Sequence, residues 1–388
     1  MGKLMRKATG LTVGVATLLA GLVLPMTASA ESASPIDASP IIHYSFDNAL
    51  TSKTIANEGS AANSDATLSG DATVANGQIS LTGSQTISVP TTAIAGKKDV
   101  TVSIWLKNNY GNGNTAAAYI GAAKTGNYPA NGYWLLNPAN PSGYAKSVMT
   151  NATAADPNNS PWGTEVGPGS TNAATTGTKA TSDLALYTTV ISGTNSTMSF
   201  YLNGKQVGDV TYTIPAGGLT NYGDLVAYIG KSSYADPNSK LDVDDYAVYD
   251  TAISAADVTK LYDAQVLDKA EAAVKAAVPA SATEDFALPT SAAGVSIAWK
   301  SDNAAIAVDN ATGKATVIRP AATAADAEVT LTATFGNNAK TAAYTVLVPK
   351  QLSDAEQAKA DLDAVTIEDS DDIRSNFSAV SYTHLTLP

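Results

Sequence analysis

The sequence contains no cysteine and only two histidines. The absence of cysteine excludes thiol catalysis and cysteine-ligated zinc, and an exported chain without disulfides must rely on core packing or metal ions for its stability. His384 lies near the C-terminus, in a stretch that resembles a translated sequencing adapter. His43 alone is left as the centre of a Ser-His-Asp triad, and its place on the first predicted strand favours packing instead.

Positive charge is also scarce. The 23 lysines and arginines are outnumbered by 35 acidic residues, which gives a net charge of −12. Lys3, Arg6 and Lys7 belong to the first thirty residues, so removal of that segment takes the net charge to −15. So acidic a surface argues against nucleic acid and anionic membranes as partners, and it leaves carboxylates free for calcium.

The N-terminus has the pattern of a secretory signal peptide over residues 1–30. Its three basic residues precede an apolar stretch from Leu11 to Leu24, which is short for a membrane span. Ala28-Ser29-Ala30 provides a small-residue cleavage site, so the mature chain is expected to begin at Glu31 and to be extracellular. The alternative is an uncleaved anchor, which the polar residues after Ala30 disfavour.

Residues 41–266 have an all-β pattern. Apolar and polar residues alternate with a period of two, which predicts strands with one buried face. Asn203-Gly204 lies between two such runs and predicts a tight hairpin, because both turn positions need positive φ. Many short strands with Asn and Gly turns predict a two-sheet sandwich. Between 124 and 181 the chain is instead rich in Asn, Gly, Pro, Ser and Thr, which is typical of long loops that carry binding sites.

A helical pattern over 254–277, with Ser254 as its cap, leads into a second β pattern. Residues 269–350 have the size of a small Ig-like sandwich. Residues 351–379 open like a second such unit that is not completed. Residues 380–388 resemble a translated sequencing adapter, so we expect the natural protein to continue differently and further.

Several stretches in order resemble the laminin-G-like, concanavalin A-like jelly-roll family. No single stretch is specific, but their order and spacing span the whole of 41–266. The matching stretches are His43-Tyr-Ser-Phe-Asp47, Val100-Thr-Val-Ser-Ile-Trp-Leu-Lys107, Phe200-Tyr-Leu-Asn-Gly-Lys205, Tyr228-Ile-Gly-Lys231 and Leu241-Asp-Val-Asp-Asp-Tyr-Ala-Val-Tyr249.

The second β region resembles the atrophied bacterial Ig-like family. This pair of domains often precedes a glycoside hydrolase module, notably the family 43 propellers that act on arabinose- and xylose-containing polysaccharides. The resemblance therefore implies an accessory region, and association of this kind does not itself prove activity. The residues that carry the Ig-like resemblance are Leu288-Pro-Thr290, Ile297-Ala-Trp-Lys-Ser-Asp302, Gly313-Lys-Ala-Thr316 and Thr330-Leu-Thr-Ala-Thr334.

The jelly-roll resemblance implies a structural calcium ion bound by Asp47 with Asp244 or Asp245. Calcium takes six to eight hard oxygen ligands, and clustered carboxylates repel one another unless a cation is present. The alternative is a solvated acidic strand end at Asp242, Asp244 and Asp245.

Aromatic residues in the loop-rich region are the candidate ligand-binding residues. Sugars stack their C–H faces on aromatic rings and hydrogen-bond amides and carboxylates. The alternative for Tyr133 and Trp134 is a strand with one of the two in the core. The candidates are Tyr128, Tyr133, Trp134, Tyr144 and Trp162.

Hydrolysis by the jelly roll itself is disfavoured. Laminarinase-like enzymes of this fold carry Glu-x-Asp-x-Glu on one strand, and the nearest alternation here is Asp242-Val-Asp244. We therefore expect no catalytic residue in this chain and a monomeric, carbohydrate-binding accessory region of a secreted glycoside hydrolase. The alternative is an adhesion or spacer module that binds no glycan and is attached to a cell surface through its C-terminal part.

Overall fold

A computed structural model of the chain describes residues 36–125, 128–129, 132–151, 161–336 and 340–364. The signal peptide predicted at 1–30 and the tail at 380–388 lie outside these residues, as do residues 365–379 of the second Ig-like unit. Within them, the chain forms two β-sandwiches joined by a helix. None of the helices in these ranges is long and apolar enough to cross a membrane.

The first sandwich consists of short antiparallel strands. They are β1 (Ile42–Tyr44), β2 (Thr54–Ile55), β3 (Ala66–Ser69), β4 (Thr73–Ala75), β5 (Gln78–Thr82), β6 (Thr86–Val89), β7 (Asp99–Asn108), β8 (Ala118–Ala122), β9 (Lys124–Thr125), β10 (Tyr128–Pro129), β11 (Tyr133–Asn137), β12 (Lys146–Thr150), β13 (Glu165–Val166), β14 (Ala185–Ser192), β15 (Thr197–Leu202), β16 (Lys205–Thr213), β17 (Leu225–Ile229) and β18 (Lys240–Tyr249).

Two sheets of these strands pack face to face. The first has the order β16-β15-β14-β7-β18-β5-β4, with β1 also paired to β18, and we call it the covered sheet. The second has the order β13-β12-β11-β8-β17-β6-β3-β2, and we call it the open sheet. Strands β9 and β10 form a separate hairpin. The predicted all-β, two-sheet jelly roll is confirmed.

The core between the sheets follows the predicted alternation. Ile42 and Tyr44 are buried on one face of β1, Phe46 just beyond this strand is buried with them, and Val102 and Ile104 are buried on β7. Burying this apolar surface supplies most of the driving force for folding.

Strand β7 is buried on both faces, where the sequence predicted one. Trp105 points away from the core between the sheets and is still 0% exposed. The cause is a helix, α1 (Ala255–Ala277), which lies across the outer face of the covered sheet. Val258 and Leu261 pack on that face together with Ile36 from the N-terminal segment. A strand pattern by itself does not reveal a cover contributed by a distant segment.

Two local predictions are confirmed. Asn203 and Gly204 have φ values of 51° and 73°, and they join β15 to β16 in a two-residue hairpin. Ser254 precedes α1, and its side chain accepts a hydrogen bond from the amide of Asp257 at 3.1 Å, as an N-cap should.

The second sandwich is small and Ig-like. Its sheets have the orders β19-β23-β22 and β20-β21-β24-β25, and its core contains Trp299 and Phe335. A short exposed helix, α2, with a capping box at Ser353 and Glu356 follows it. The elements are β19 (Phe286–Ala287), β20 (Ser291–Ala292), β21 (Val295–Ser301), β22 (Ile306–Asp309), β23 (Lys314–Val317), β24 (Ala327–Phe335), β25 (Lys340–Val348) and α2 (Asp354–Asp363).

Helix α1 belongs to both sandwiches. Val266 packs on Trp105 of the covered sheet, whereas Ala270 and Val274 belong to the Ig-like core. The helix passes without a break through the boundary expected between 266 and 269. The two sandwiches are therefore joined by a shared element instead of a flexible linker.

Candidate functional site

A cleft of about 610 Å³ opens on the outer face of the open sheet. Strand β11 supplies its floor, because the alternation along this strand turns Tyr133 outward while Trp134 enters the core. Residues 161–174 fold over the same face and form a wall. The lining side chains with useful chemistry are Tyr133, Lys146, Trp162, Glu165, Tyr234 and Asp236.

Glu165 is held firmly inside the cleft, and its side chain is 1% exposed. One carboxylate oxygen accepts a hydrogen bond from the Tyr133 hydroxyl at 2.7 Å. The other accepts from Nζ of Lys146 at 2.8 Å and from the amide and hydroxyl of Thr171, both at 2.9 Å. Burial, and then the charge of Glu165, raise the pKa of Tyr133 well above its ordinary value, so the phenol remains a donor. Because its lone pairs are occupied, this carboxylate organises the cleft and is not a free acid or nucleophile.

Aromatic rings lead from the floor of the cleft to its mouth. The indole of Trp162 is 36% exposed, and its centroid lies 5.7 Å from that of Tyr234 at an interplanar angle of 62°. Tyr234 in turn meets Tyr133 edge-on, with centroids 5.5 Å apart at 88°. Edge-to-face contacts of this kind fix ring orientation. Trp162 is therefore an oriented and partly exposed aromatic ring at the mouth of the cleft.

The wall of the cleft is held by one buried amide. Nδ2 of Asn140 donates to the carbonyls of Gly169 at 3.1 Å and Ala174 at 2.7 Å. Its Oδ1 accepts from the amides of Ser142 and Tyr144, each at 3.0 Å. Loops that are distant in sequence are thereby joined into a continuous surface.

The cleft carries more negative than positive charge. Asp236 is exposed at the rim, where partial burial raises its pKa and the charge of Lys146 offsets part of that shift. Lys146 is the one cationic side chain among the described lining residues, and it is already paired with Glu165. Asp236 is thus left as the negatively charged group that an incoming ligand meets.

Two family models match the chain. Residues 81–259 match the concanavalin A-like lectin/glucanases superfamily, and residues 266–351 match the atrophied bacterial Ig domain. The chain therefore pairs a concanavalin A-like domain with an atrophied bacterial Ig domain. This confirms the resemblance that the sequence motifs carry. No curated protein matches the chain.

Several solved structures are similar to the chain at low sequence identity. Domain 4 of AbnA, a GH43 extracellular arabinanase from Geobacillus stearothermophilus solved with arabinotriose, is 20% identical with a TM-score of 0.40, over 58% of this chain and 98% of that domain. The receptor-binding domain of botulinum neurotoxin mosaic serotype C/D is 14% identical with a TM-score of 0.41, over 79% and 72%. Trypanosoma rangeli sialidase is 12% identical with a TM-score of 0.39, over 57% of this chain and about a third of the sialidase.

Two of the aromatic residues predicted to bind ligand lie in the cleft of the concanavalin A-like domain. Tyr133 forms its floor but is 1% exposed, so it supports the surface from below. Trp162 lies at the mouth and offers its ring to solvent. Of this pair, Trp162 is the one with enough exposed surface for stacking.

The structure does not bring Trp134 or Tyr144 into this cleft. Trp134 is 0% exposed in the core, where its indole N–H donates to the hydroxyl of Ser147 at 3.1 Å. Tyr144 lies outside the lining, with Nζ of Lys179 3.9 Å from its ring centroid. Tyr128 is on β10, and its side chain is outside the described residues. Their predicted contact with a ligand remains untested.

Four charged or aromatic residues of the cleft were not singled out from the sequence. Tyr234 and Asp236 follow β17, which the pairing of β17 with β8 brings beside the floor. Lys146 is the first residue of β12, and nothing in the sequence pattern distinguishes it from other strand residues. Glu165 carried a usable signal, because it is one of only two acidic residues between 124 and 181.

The residues that the family resemblance implies for calcium do not fit a calcium site. Nζ of Lys269 donates to Asp244 at 2.6 Å and also to Asp245, and Asp47 is exposed. Among the residues that the structure describes, no group of three or more His, Cys, Asp or Glu side chains is placed to hold a metal ion. Calcium needs six to eight oxygens, and an ammonium occupies two of the three expected carboxylates. Calcium binding remains a prediction that these contacts disfavour.

The acidic alternation on β18 is also engaged in structural contacts. Oδ1 of Asp242 accepts from the hydroxyl of Ser80 at 2.7 Å, and Oδ2 accepts from Nδ2 of Asn109 at 2.9 Å. Asp244 is paired with Lys269. These contacts account for both carboxylates without a hydrolytic role.

Proposed function

We propose that the cleft of the concanavalin A-like domain binds a polysaccharide chain. The chain then acts as the non-catalytic, carbohydrate-directed part of a secreted modular glycoside hydrolase of the arabinan or xylan class. The observation that carries this proposal is the partly exposed ring of Trp162, which packs against Tyr234 at the mouth of a cleft of about 610 Å³ lined by aromatic and polar residues.

The chemistry of the lining suits a sugar. A pyranose or furanose ring offers an apolar C–H face for Trp162 and hydroxyls for the polar groups below it. The surface is organised in advance by the contacts of Glu165 and Asn140, so little ordering cost remains on binding.

The charge of the cleft favours an uncharged glycan. The carboxylate of Asp236 faces solvent while Lys146 is already paired with Glu165, and the whole chain carries a net charge of −12. A uronate or sialate would bring a second negative charge into this field and lose affinity. Arabinan and xylan backbones carry no such charge and are the ligands to test first.

The site is proposed to work outside the cell. The signal peptide predicted at 1–30 and the absence of cysteine agree with an exported chain that is stabilised by its core. The Ig domain then holds the glycan-bound domain at a set distance from whatever module follows it.

Binding of the full chain to soluble arabinan and arabinoxylan, measured by affinity electrophoresis and titration calorimetry, tests the proposal. We expect retention by at least one of these glycans. Trp162→Ala should weaken it by about tenfold or more, because loss of a stacking anchor costs on the order of 1.4 kcal/mol.

Tyr144→Ala is the matched control, since Tyr144 is a loop aromatic outside the cleft. It should leave the affinity unchanged. If neither glycan is retained, the adhesion or spacer alternative is favoured. If Tyr144→Ala weakens binding as much as Trp162→Ala does, the ligand lies elsewhere on the loops.

A further inference from the structure

We propose that Lys269, on the helix that leads into the Ig domain, is the resident cation of the acidic pair Asp244–Asp245 and takes the place that a metal ion would have there. The concanavalin A-like domain is then completed by a residue beyond its own strands. This inference does not depend on glycan binding.

A β-bulge creates the need for a cation. The pairing of β18 with β7 shifts register between Asp244 and Tyr246, and Asp245 has a φ of 43°. In a regular strand, neighbouring side chains point to opposite faces, whereas a bulge places an extra residue outside the ladder. Asp244 and Asp245 therefore both reach Lys269 on the outer side of the covered sheet.

Both carboxylates are largely removed from water. Their side chains are 3% and 14% exposed, and that of Lys269 is 14% exposed. Nζ of Lys269 donates to Oδ1 of Asp244 at 2.6 Å and to Oδ2 of Asp245, while Nε2 of His43 lies 2.9 Å from the second oxygen of Asp245. Two buried like charges without a counter-ion are strongly unfavourable, so the ammonium is required and not incidental.

The position of Lys269 along α1 makes this contact a joint between domains. Val266, three residues earlier, packs on Trp105 of the covered sheet, and Ala270, the next residue, belongs to the Ig core. Lys269 lies where the helix passes from one core to the other. A piece of the chain ending at 266 lacks this lysine and leaves Asp244 without its ion-pair partner.

Thermal unfolding of the full chain with millimolar calcium or with EDTA provides the first test. We expect the wild-type Tm to be the same in both, because the ammonium of Lys269 already occupies the position that calcium would take between Asp244 and Asp245. Lys269→Met should lower Tm by roughly 10 °C, since it leaves the buried carboxylate of Asp244 unpaired and that of Asp245 with His43 alone. Lys260→Met is the matched control on the same helix, because Lys260 is 62% exposed, and it should change Tm by no more than about 2 °C.

A calcium-dependent rise of the wild-type Tm would overturn the proposal. So would a Lys269→Met variant as stable as Lys260→Met. Should Lys269→Met fail to fold, amine acetylation of the wild-type chain followed by peptide mass spectrometry decides the matter. Lys269 should react at least about tenfold more slowly than Lys260, with or without calcium, because burial and two carboxylates hold its ammonium. Equal rates, or release of Lys269 by added calcium, would show that it is not the resident cation.

Discussion

The two outer faces of the concanavalin A-like domain are formed by similar strands, but one face is buried under a helix and the other carries an open cleft. Each carries aromatic side chains directed away from the core between the sheets. On the covered sheet, Trp105 lies under α1 and is 0% exposed. On the open sheet, Tyr133 lies below a cleft whose mouth is formed by Trp162. The difference shows that the segment packed against a face, and not its strand pattern, decides whether that face is buried or left open as a cleft.

Trp105→Ala should produce the largest effect and separate the two faces. Trp105 stacks on Tyr262 with centroids 5.8 Å apart, and its N–H donates to Gln265 at 2.9 Å. Removing a fully buried indole should cost about 3–5 kcal/mol of unfolding free energy in a urea titration. The affinity of the remaining folded protein for glycan should not change, because the cleft is on the other sheet. A loss below about 1 kcal/mol would mean that the helix does not cover this face in solution.

Glu165→Gln should have an intermediate effect on the open face. The amide keeps the shape of the side chain but has one acceptor oxygen, so the donors Tyr133, Lys146 and Thr171 are no longer all satisfied. We expect a loss of about 1–3 kcal/mol in the same titration, together with weaker glycan binding as the cleft loosens. Unchanged stability would contradict the assignment of Glu165 as the organising anion.

The pH dependence of stability should reveal a smaller contribution of His43, on the covered sheet, to the free energy of unfolding. Burial lowers the pKa of His43, but the hydrogen bond to Asp245 and the charges of Asp245 and Glu58 outweigh burial and the charge of Lys269, so the pKa is raised above 6.5. A raised folded-state pKa means that the contribution is complete below the unfolded pKa and is lost as pH rises through the folded one.

His43→Gln should therefore lower the unfolding free energy more at about pH 5.5 than at about pH 8.5, by on the order of 1 kcal/mol or less. Urea titrations of both proteins at the two pH values measure this difference. An equal loss at both would indicate that His43 acts through packing alone.

Trp162→Ala should have the smallest effect on stability. An indole that is 36% exposed at the mouth of the cleft contributes little to the core, so the unfolding free energy should change by no more than about 0.5 kcal/mol. Trp105→Ala and Trp162→Ala together compare the two faces most directly, because the same substitution is made on the covered face and at the cleft. A large loss here would mean that the cleft wall collapses without the ring.

The sequence predicted the strands, the hairpin and the helix cap because each depends on local chemistry. Alternation marked the core-facing residues of β7, and Asn203-Gly204 marked a turn that needs positive φ. For Tyr133 and Trp134 the sequence left open, as the alternative to ligand binding, a strand with one of the two in the core. A period of two does not say which of the pair enters the core.

The features that the sequence did not predict depend on contacts between segments that are distant in sequence. Tyr234 and Asp236 reach the cleft through the register of β17 on β8, for which the local pattern carries no signal. The family resemblance implied a metal at the acidic pair on β18. Neither the bulge at Asp245 nor the contact with Lys269, 24 residues further along the chain, can be placed by sequence spacing alone.

The continuous helix α1 has a mechanical consequence. Its 23 residues form a rod about 35 Å long, and each end is set into a different hydrophobic core. Swivelling of one domain against the other would require unpacking of at least one of those cores. The direction in which the cleft points relative to the Ig domain is thus set by a single helix that is anchored in both cores.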